Sequence, residues 1–431
     1  MKSILKNALV IALVLVGFSV NAQKNKRSLD NYREPDKNGV NVFEAPKDTI
    51  STFDEVKVRI GGSSTLQFQA LDHENSFTNM DNPGGVPLKE IGYNFNLATA
   101  NLDLDVALYD GVRMHLRTYL SSRHHPEPYV KGGYIQIDKL EFIEEGFMED
   151  FMKYTTLKIG HMENNYGDAH FRRSDNAQAI YNPFVGNLIM DAFTTEVGAE
   201  LYYQRNGFIG MIGFTNGKLN QDVANPDTGG ASFLAKLGYD KQINDDFRFR
   251  LTGSLYNTGQ VRSSYLYSAD RAGSRYYLVL EDEEATAKGN FRSGRYNPGL
   301  GNKVTAFMIN PFVKYKGLEF FGTIESASGR TNAETERRTA NQFAGELIYR
   351  FGQTENYYLG ARYNKVTAED FEAADDKIGI SRFQVSAGYF MTKNILLKVE
   401  YVSQQHDDYA AGSIFEDGAF NGLMAEAVIS F

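Results

Sequence analysis

Residues 423–431 read L-M-A-E-A-V-I-S-F, and apolar side chains recur at every second position. A period of two is typical of a β-strand, because successive side chains point to opposite faces of a sheet. One face of this strand carries no charge and ends on the aromatic Phe431, whereas the other face carries Glu426. Nothing follows Phe431 to cover the apolar face, so we expect that this face contacts lipid.

The same alternation recurs along most of the chain. Between residues 56 and 70 it continues for fifteen positions, which is long for an ordinary strand but suits a tilted membrane strand with its rim. Period and turn chemistry together predict sixteen strands. They are 56–71, 90–108, 112–123, 129–141, 154–163, 194–205, 207–216, 231–242, 247–259, 303–316, 317–328, 339–351, 357–368, 380–391, 395–407 and 419–431.

The connections between these strands alternate in length. Those after the even-numbered strands are mostly tight turns such as Asn206-Gly207, and those after the odd-numbered strands are mostly long and polar. This layout predicts an all-β fold, a transmembrane antiparallel up-and-down β-barrel with both termini on the short-turn, periplasmic side. Two features break the pattern. Residues 143–154 predict a short amphipathic helix on the periplasmic side, and Pro311 predicts a bulge or a register error in the tenth strand.

The N-terminus precedes the barrel pattern and divides into two parts. Residues 1–22 combine Lys2 and Lys6, an apolar stretch and a small-residue cleavage site, which predicts a cleaved signal peptide and export. Residues 23–55 are polar and predict a periplasmic extension, either flexible or docked as a plug or tether. The barrel then occupies residues 56–431.

Composition narrows the classes of function. The mean hydropathy of -0.40 is compatible with a barrel, because alternation hides the apolar band. The chain has no cysteine, its 7 histidines show no metal-binding spacing, and its net charge of -9 argues against a nucleic-acid partner. We therefore expect no metal, no cofactor and no catalytic residue.

The inward-facing positions carry most of the charge. Arg or Lys facing lipid at mid-depth costs about 2–4 kcal/mol, so charged residues that alternate with apolar ones should face the lumen. The predicted pore-lining residues are Lys57, Arg59, Asp103, Asp105, Arg113, His115, Arg117, Lys158, Arg248, Arg250 and Arg362. They either create a field across a pore or only neutralise one another.

The third long loop, residues 164–193, is the candidate constriction. It is too apolar for a solvent-exposed loop, so it should fold into the barrel, although a position on the rim with subunit contacts is the alternative. If it folds inward, Asp168, Arg172, Arg173 and Asp175 should line the narrowest point of the pore.

Three stretches resemble the outer-membrane porins of the phosphate-selective porin O and P superfamily. They are T-L-K-I-G-H-M-E-N-N-Y-G-D (156–168), G-Y-F-M-T-K-N-I-L-L-K-V-E-Y-V (388–402) and F-N-G-L-M-A-E-A-V-I-S-F (420–431). The resemblance implies a sixteen-stranded barrel in a Gram-negative outer membrane, commonly a homotrimer, that passes small solutes by diffusion. It also implies that the barrel-assembly machinery reads the final strand through Phe431. Phosphate selectivity is not implied, because acids interrupt the basic residues of the lumen.

The sequence therefore predicts a water-filled outer-membrane channel for ions and small polar solutes, leaning towards anions at the constriction, with lipid and transiting solutes as partners. A barrel whose long loops bind a carbohydrate or peptide is the second hypothesis, motivated by the Tyr-rich segment 263–280. A hydrolase assembled on the barrel is the third.

Overall fold

The computed structural model describes residues 27–77, 86–120, 128–217, 229–268 and 275–431. The predicted signal peptide, residues 1–22, lies outside this part of the chain. Among the described residues, no helix is both long and apolar enough to cross a membrane.

Sixteen antiparallel strands form one closed barrel, as the sequence predicts. The strands are β1 (Lys57–Glu74), β2 (Asn94–Tyr109), β3 (Val112–Leu120), β4 (Tyr129–Ile137), β5 (Thr155–Glu163), β6 (Thr195–Arg205), β7 (Phe208–Thr215), β8 (Ser232–Gln242), β9 (Phe247–Thr258), β10 (Lys303–Tyr315), β11 (Leu318–Arg330), β12 (Arg338–Phe351), β13 (Tyr357–Glu369), β14 (Lys377–Thr392), β15 (Ile395–Asp407) and β16 (Ala419–Ser430). Each strand pairs with its sequence neighbours, and β1 pairs with β16 from Ser63↔Ser430 to Glu74↔Ala419. Both ends of the barrel sheet therefore meet, and the sheet has no free edge.

The predicted inside and outside faces are confirmed by burial. In β16, Leu423 and Ile429 are exposed on the outer surface, whereas Met424, Glu426 and Val428 are buried in the interior. In β1, Val58 and Ile60 face outwards in the same way. The outer surface therefore carries an apolar band, and most charged side chains in the middle of the strands point into the barrel.

Aromatic rings form a row on the outer surface near the tight turns. The ring centroids of Tyr349 and Phe351 are 5.9 Å apart, those of Phe351 and Tyr357 are 5.6 Å apart, and those of Tyr357 and Tyr389 are 4.7 Å apart. Rows of this kind are typical of the boundary between hydrocarbon and water in membrane barrels. We call this end of the barrel the short-turn end.

Pro311 causes neither of the two predicted irregularities. The pairing of β10 with β11 keeps one register on both sides of it, from Ile309↔Ile324 to Phe312↔Phe321. The Asn310 side chain replaces the hydrogen bond that Pro311 cannot make, since its Nδ2 donates to the Gly322 carbonyl at 3.0 Å. Gly322 also leaves room for the proline ring, because a Cβ there would lie 2.8 Å from Pro311 Cγ.

The predicted helix at 143–154 is reduced to one turn, α1 (Glu149–Met152). Gly146 and Met148 both adopt positive φ angles, 73° and 54°, and this left-handed backbone prevents a continuous helix from residue 143. The connection is still an excursion at the short-turn end, and most of its residues are exposed.

The polar N-terminal stretch is docked in the short-turn end, so the flexible alternative is wrong for its described part. We call residues 29–48 the N-terminal segment. The backbone N–H of Lys37 donates to the Lys393 carbonyl at 2.8 Å, the Asn41 carbonyl accepts from Arg248 at 2.8 Å, and Lys47 Nζ lies 3.0 Å from Asp138 Oδ1. Asp138 follows β4, Arg248 belongs to β9 and Lys393 follows β14, so the segment crosses the mouth of the barrel.

An arginine placed at mid-depth on the outer face should destabilise the barrel more than one placed at the aromatic row. Ile324 lies in the middle of β11 and is 51% exposed, and Leu318 begins the same strand opposite Tyr349. We expect Ile324→Arg to lower the free energy of unfolding by about 2–4 kcal/mol and Leu318→Arg by about 0–1 kcal/mol. Denaturant unfolding in lipid vesicles measures both values, and equal losses would contradict a lipid-facing band at this depth.

Candidate functional site

The third loop lies inside the barrel, so the rim alternative is wrong. Backbone N–H groups of the loop donate to polar side chains of the wall: Val185 to Glu400 at 2.8 Å, Ile189 to Asn364 at 2.7 Å and Met190 to Gln342 at 2.9 Å. Its apolar side chains, which were the sequence signal for this position, are buried with apolar residues of the wall. The loop therefore narrows the lumen by packing against the side of the wall that β12 to β15 form.

Asp168, at the start of this loop, belongs to a buried group of charges. Its carboxylate is 2.8 Å from Arg250 Nη2 and 3.0 Å from Lys236 Nζ. Glu44 of the N-terminal segment completes the group, with its Oε2 2.7 Å from Arg250 Nη1 and its Oε1 3.5 Å from Lys236 Nζ. We call Glu44, Asp168, Lys236 and Arg250 the mouth cluster.

The cations of the mouth cluster keep both of its acids ionised. Burial alone would raise the pKa of the Glu44 carboxyl, but Arg250 and Lys236 outweigh burial and lower this pKa to about 2. The same two cations hold the pKa of Asp168 below its ordinary value, again against the effect of burial. The two acids therefore carry negative charge at neutral pH and balance the two cations.

The other predicted constriction residues are separated rather than gathered at one opening. Arg172 donates to Asn41 Oδ1 at 2.7 Å and to Glu346 at 3.3 Å, whereas Arg173 pairs with Asp191 at 2.6 Å. Asp175 is buried within the loop, where one of its oxygens accepts from the backbone of Asn176. The two arginines thus fix the loop to the segment, to the wall and to itself.

Nine of the eleven predicted pore-lining residues occur in ion-paired groups on the inner face. Asp105 lies 3.1 Å from Arg113 and 2.8 Å from His115, and Tyr32 of the N-terminal segment donates to it at 2.9 Å. Three further pairs are Asp103 with Arg117, Asp240 with Arg248, and Glu346 with Arg362. Arg59 lies 3.9 Å from Asp105, and Arg250 belongs to the mouth cluster. A tenth, Lys57, pairs with Asp54 at the rim.

Lys158 is different, because it faces rings instead of carboxylates. Its Nζ lies 5.5 Å from the Tyr134 ring centroid and 4.9 Å from that of Tyr202. Arg33 of the N-terminal segment lies over Tyr181 at 3.7 Å and donates to two backbone carbonyls. Within the described chain, neither cation forms an ion pair with a carboxylate.

These two cations border a cavity in the lumen, which we call the lumen cavity. The cavity has a volume of about 170 Å³. Its wall also contains Arg113, Arg117, Lys131 and His170, together with the rings of Tyr32, Phe171 and Tyr181. The lining also includes the acids Glu44 and Glu163, which are fewer than its five Arg and Lys side chains, so it has an excess of positive charge.

The sequence predictions missed four residues of this interior: Arg33, Asn41, Glu44 and Lys236. Lys236 stands between Ala235 and Leu237 in β8, so the alternation that identified the other inward cations also applies to it. The other three belong to a stretch without periodicity, and no local signal places them in the lumen. Among the described residues, no group of three or more His, Asp or Glu side chains could hold a metal ion.

Comparison with known proteins supports the fold but gives no family. No family model matches the sequence, and no curated protein matches it. Solved structures do share its architecture. The outer membrane protein OmpT of Vibrio cholerae (trimer form) superposes with a TM-score of 0.52 at 12% identity, covering 88% of this chain and 100% of that one. The chain has the fold of porins.

Two further structures agree with this result. The anion-selective porin from Comamonas acidovorans has a TM-score of 0.54 at 10% identity, covering 88% of this chain and 100% of that chain. Pseudomonas putida OprB has a TM-score of 0.51 at 10% identity, covering 88% of this chain and 94% of that chain. At such identities the likeness extends to the sixteen-stranded barrel alone.

Removing the charge of Asp191 should loosen the third loop. Burial would raise the Asp191 pKa, but Arg173 outweighs burial and lowers it below the ordinary carboxyl value. Since breaking a buried pair leaves one charge unpaired, we expect Asp191→Asn to lower the free energy of unfolding at pH 7 by about 3–5 kcal/mol. The matched change Asp246→Asn affects an exposed pair with Lys316 and should cost about 0–1 kcal/mol.

The pH dependence supplies the check on this pair. A carboxyl whose folded-state pKa is depressed stabilises the fold above its unfolded pKa, and this contribution is lost as the pH falls. The difference between wild type and Asp191→Asn in denaturant unfolding should therefore shrink on acidification below the ordinary carboxyl range. A difference that is constant with pH would contradict the assigned pairing.

Proposed function

We propose that the chain is an outer-membrane channel for ions and small polar solutes, without chemical turnover. The observation that carries this proposal is a closed sixteen-stranded barrel with an apolar outer band and charged side chains on its inner face. A closed barrel satisfies its backbone hydrogen bonds internally, which is what a hydrocarbon environment demands. The likeness in fold to solved porins supports the same class of function.

The location and assembly of the protein belong to the same proposal. Export by the signal peptide 1–22 would deliver the chain to the outer membrane, with the short-turn end in the periplasm and the lipid against the apolar band. The homotrimer and the recognition of Phe431 by the assembly machinery follow from the resemblance to the porin O and P superfamily, which we retain as a hypothesis. Nucleic acid has no part in the proposal.

The anion preference that we propose depends on the lumen cavity rather than on Arg172 and Arg173. Those two arginines are buried and paired, whereas Arg33 and Lys158 have no carboxylate partner in the described part of the chain. Basic side chains at a narrow passage raise the local concentration of anions. A small anion would therefore meet a positively charged lining beside the third loop.

The two rival hypotheses are less well supported. The Tyr-rich segment suggested a ligand-binding loop, but Tyr267 and Tyr276 are buried and donate to the wall carboxylates of Glu325 and Glu400 at 2.7 Å each. For a hydrolase, a serine and a histidine should be hydrogen-bonded, and among the described residues no histidine bonds a serine hydroxyl. Neither hypothesis has a specific observation in its favour.

Recording from the purified protein in planar bilayers tests the channel directly. We expect discrete conductance steps in salt solution, because water and ions would cross through the lumen. The variant Ile324→Arg is expressed and purified in the same way. If it fails to assemble, it provides a negative control. A correctly folded barrel that gives no steps at any voltage would contradict the proposal.

Reversing the charge of Lys158 should move ion preference towards cations. Lys158 borders the cavity and has no carboxylate partner, so Lys158→Glu replaces its positive charge with a negative one beside the passage. Lys365→Glu makes the same change on the exposed face of β13 and should leave selectivity unaltered. The reversal potential in a salt gradient measures both, and equal reversal potentials for the two variants would refute the role of Lys158.

A further inference from the structure

The N-terminal segment places two adjacent side chains in a preformed recess of the barrel wall. The Phe43 ring contacts three other rings, with centroid distances of 5.9 Å to Phe171, 5.4 Å to Phe312 and 6.4 Å to Phe321. The Arg250 guanidinium carbon lies 4.2 Å from the Phe43 centroid. An apolar group is thus held in an aromatic pocket with a cation against its face.

The carboxylate of Glu44 is held as a bound anion would be. Its two oxygens accept from Arg250 Nη1 at 2.7 Å and from Arg250 Nη2 at 3.0 Å, which is the bidentate geometry that Arg provides for free carboxylates. Lys236 Nζ adds a third contact at 3.5 Å. Arg250 and Lys236 belong to the barrel, so the cationic half of this site does not depend on the segment.

Charge balance shows that the recess needs an anion. The barrel cations Lys236, Arg248 and Arg250 face the acids Asp168 and Asp240, and Glu44 is the third acid that neutralises them. If the segment left, three cations, of which Lys236 and Arg250 are buried, would face two acids. An unpaired buried charge is strongly unfavourable, so the empty recess would attract a replacement anion.

We propose that Phe43 and Glu44 are a built-in pseudo-ligand, and that Phe312, Phe321, Lys236 and Arg250 form a binding site for a small solute with a carboxylate next to an aromatic or apolar group. Such a solute competes with the segment for the recess. While the segment is bound, it obstructs the short-turn mouth and keeps the open probability of the channel low, and when the solute displaces it the passage opens more often. This inference rests on the proposed channel function and adds to it a solute class and a gate.

The tether sets the concentration at which competition occurs. A ligand on a short flexible tether has an effective concentration of the order of millimolar. The segment continues directly into β1 through residues 49–56, so a free solute that binds the recess as tightly as the segment does must exceed this range to displace it. We expect little opening below about 1 mM solute and clear opening roughly tenfold above that.

The first test compares two matched substitutions by single-channel recording. Glu44→Gln removes the charge that Arg250 and Lys236 hold, and it should raise the open probability about tenfold or more. Glu34→Gln makes the same change in the same segment, where the carboxylate accepts hydrogen bonds from Ser28 alone among the described residues, and it should leave the open probability within about twofold. Equal open probabilities for wild type and both variants, in a protein that conducts, would overturn the gate and leave the channel function intact.

The second test uses 3-phenylpropionate as the solute and 3-phenylpropanamide as its neutral control. The carboxylate compound should open the wild-type channel and the amide should not, since only the former can replace Glu44 on Arg250. The variant Arg250→Gln should lose this difference. An equal response to both compounds would overturn the assigned solute class.

A disulfide that fixes the N-terminal segment tests the gate independently of the channel function. The chain has no cysteine, so Lys37→Cys with Lys393→Cys introduces one possible disulfide, at a point where the two backbones are hydrogen-bonded at 2.8 Å. The oxidised protein should keep its low open probability with 3-phenylpropionate present, and the reduced protein should open more often. Full conductance of the oxidised protein would refute the plug. If the reduced protein, Glu44→Gln and wild type all fail to conduct, the channel function itself is wrong, and the gate with it.

Discussion

The pairing of β1 with β16 is the constraint on which the rest of the molecule depends. Without it, the sheet would present two rows of unpaired N–H and C=O groups, and in hydrocarbon each unpaired group costs several kcal/mol. The pairing extends over twelve positions, from Ser63↔Ser430 to Glu74↔Ala419. Once the sheet is closed, alternate side chains must face outwards or inwards. The apolar outer face and the charged inner face are consequences of this one closure.

The closed wall then determines how the interior is filled. A barrel that places Asp103, Asp105, Arg113 and Arg250 on its inner face must neutralise them there, because the outer face is apolar. Most of these charges pair across neighbouring strands, as Asp103 does with Arg117. Charges that are not balanced within the wall are paired by residues of the third loop and of the N-terminal segment. Asp168 and Arg172 come from the third loop, and Tyr32, Asn41 and Glu44 come from the N-terminal segment.

The sequence predicts the wall far better than its contents, and the reason is physical. Each strand repeats the same two-residue environment, so β16 or β1 can be identified from its own letters, and all sixteen strands lie close to their predicted bounds. Pro311 was misread because its accommodation needs the neighbouring strand: Gly322 accepts the hydrogen bond from Asn310 and leaves room for the proline ring. The mouth cluster joins residues 44, 168, 236 and 250, and only the folded barrel brings them together. Lys236 alone among the missed residues could have been found by period.

The kind of contact that holds the N-terminal segment bears on whether it can leave. An entirely apolar plug would gain free energy from buried area alone, and no small solute could replace all of that area. Buried ion pairs instead cost nearly as much desolvation as they return in attraction, while removing one partner alone is strongly unfavourable. The contact of Glu44 with Arg250 therefore places the segment specifically, but it exchanges at low net cost when another carboxylate takes over Arg250. That combination suits a mouth that is mostly closed at rest and opened by the solute it admits.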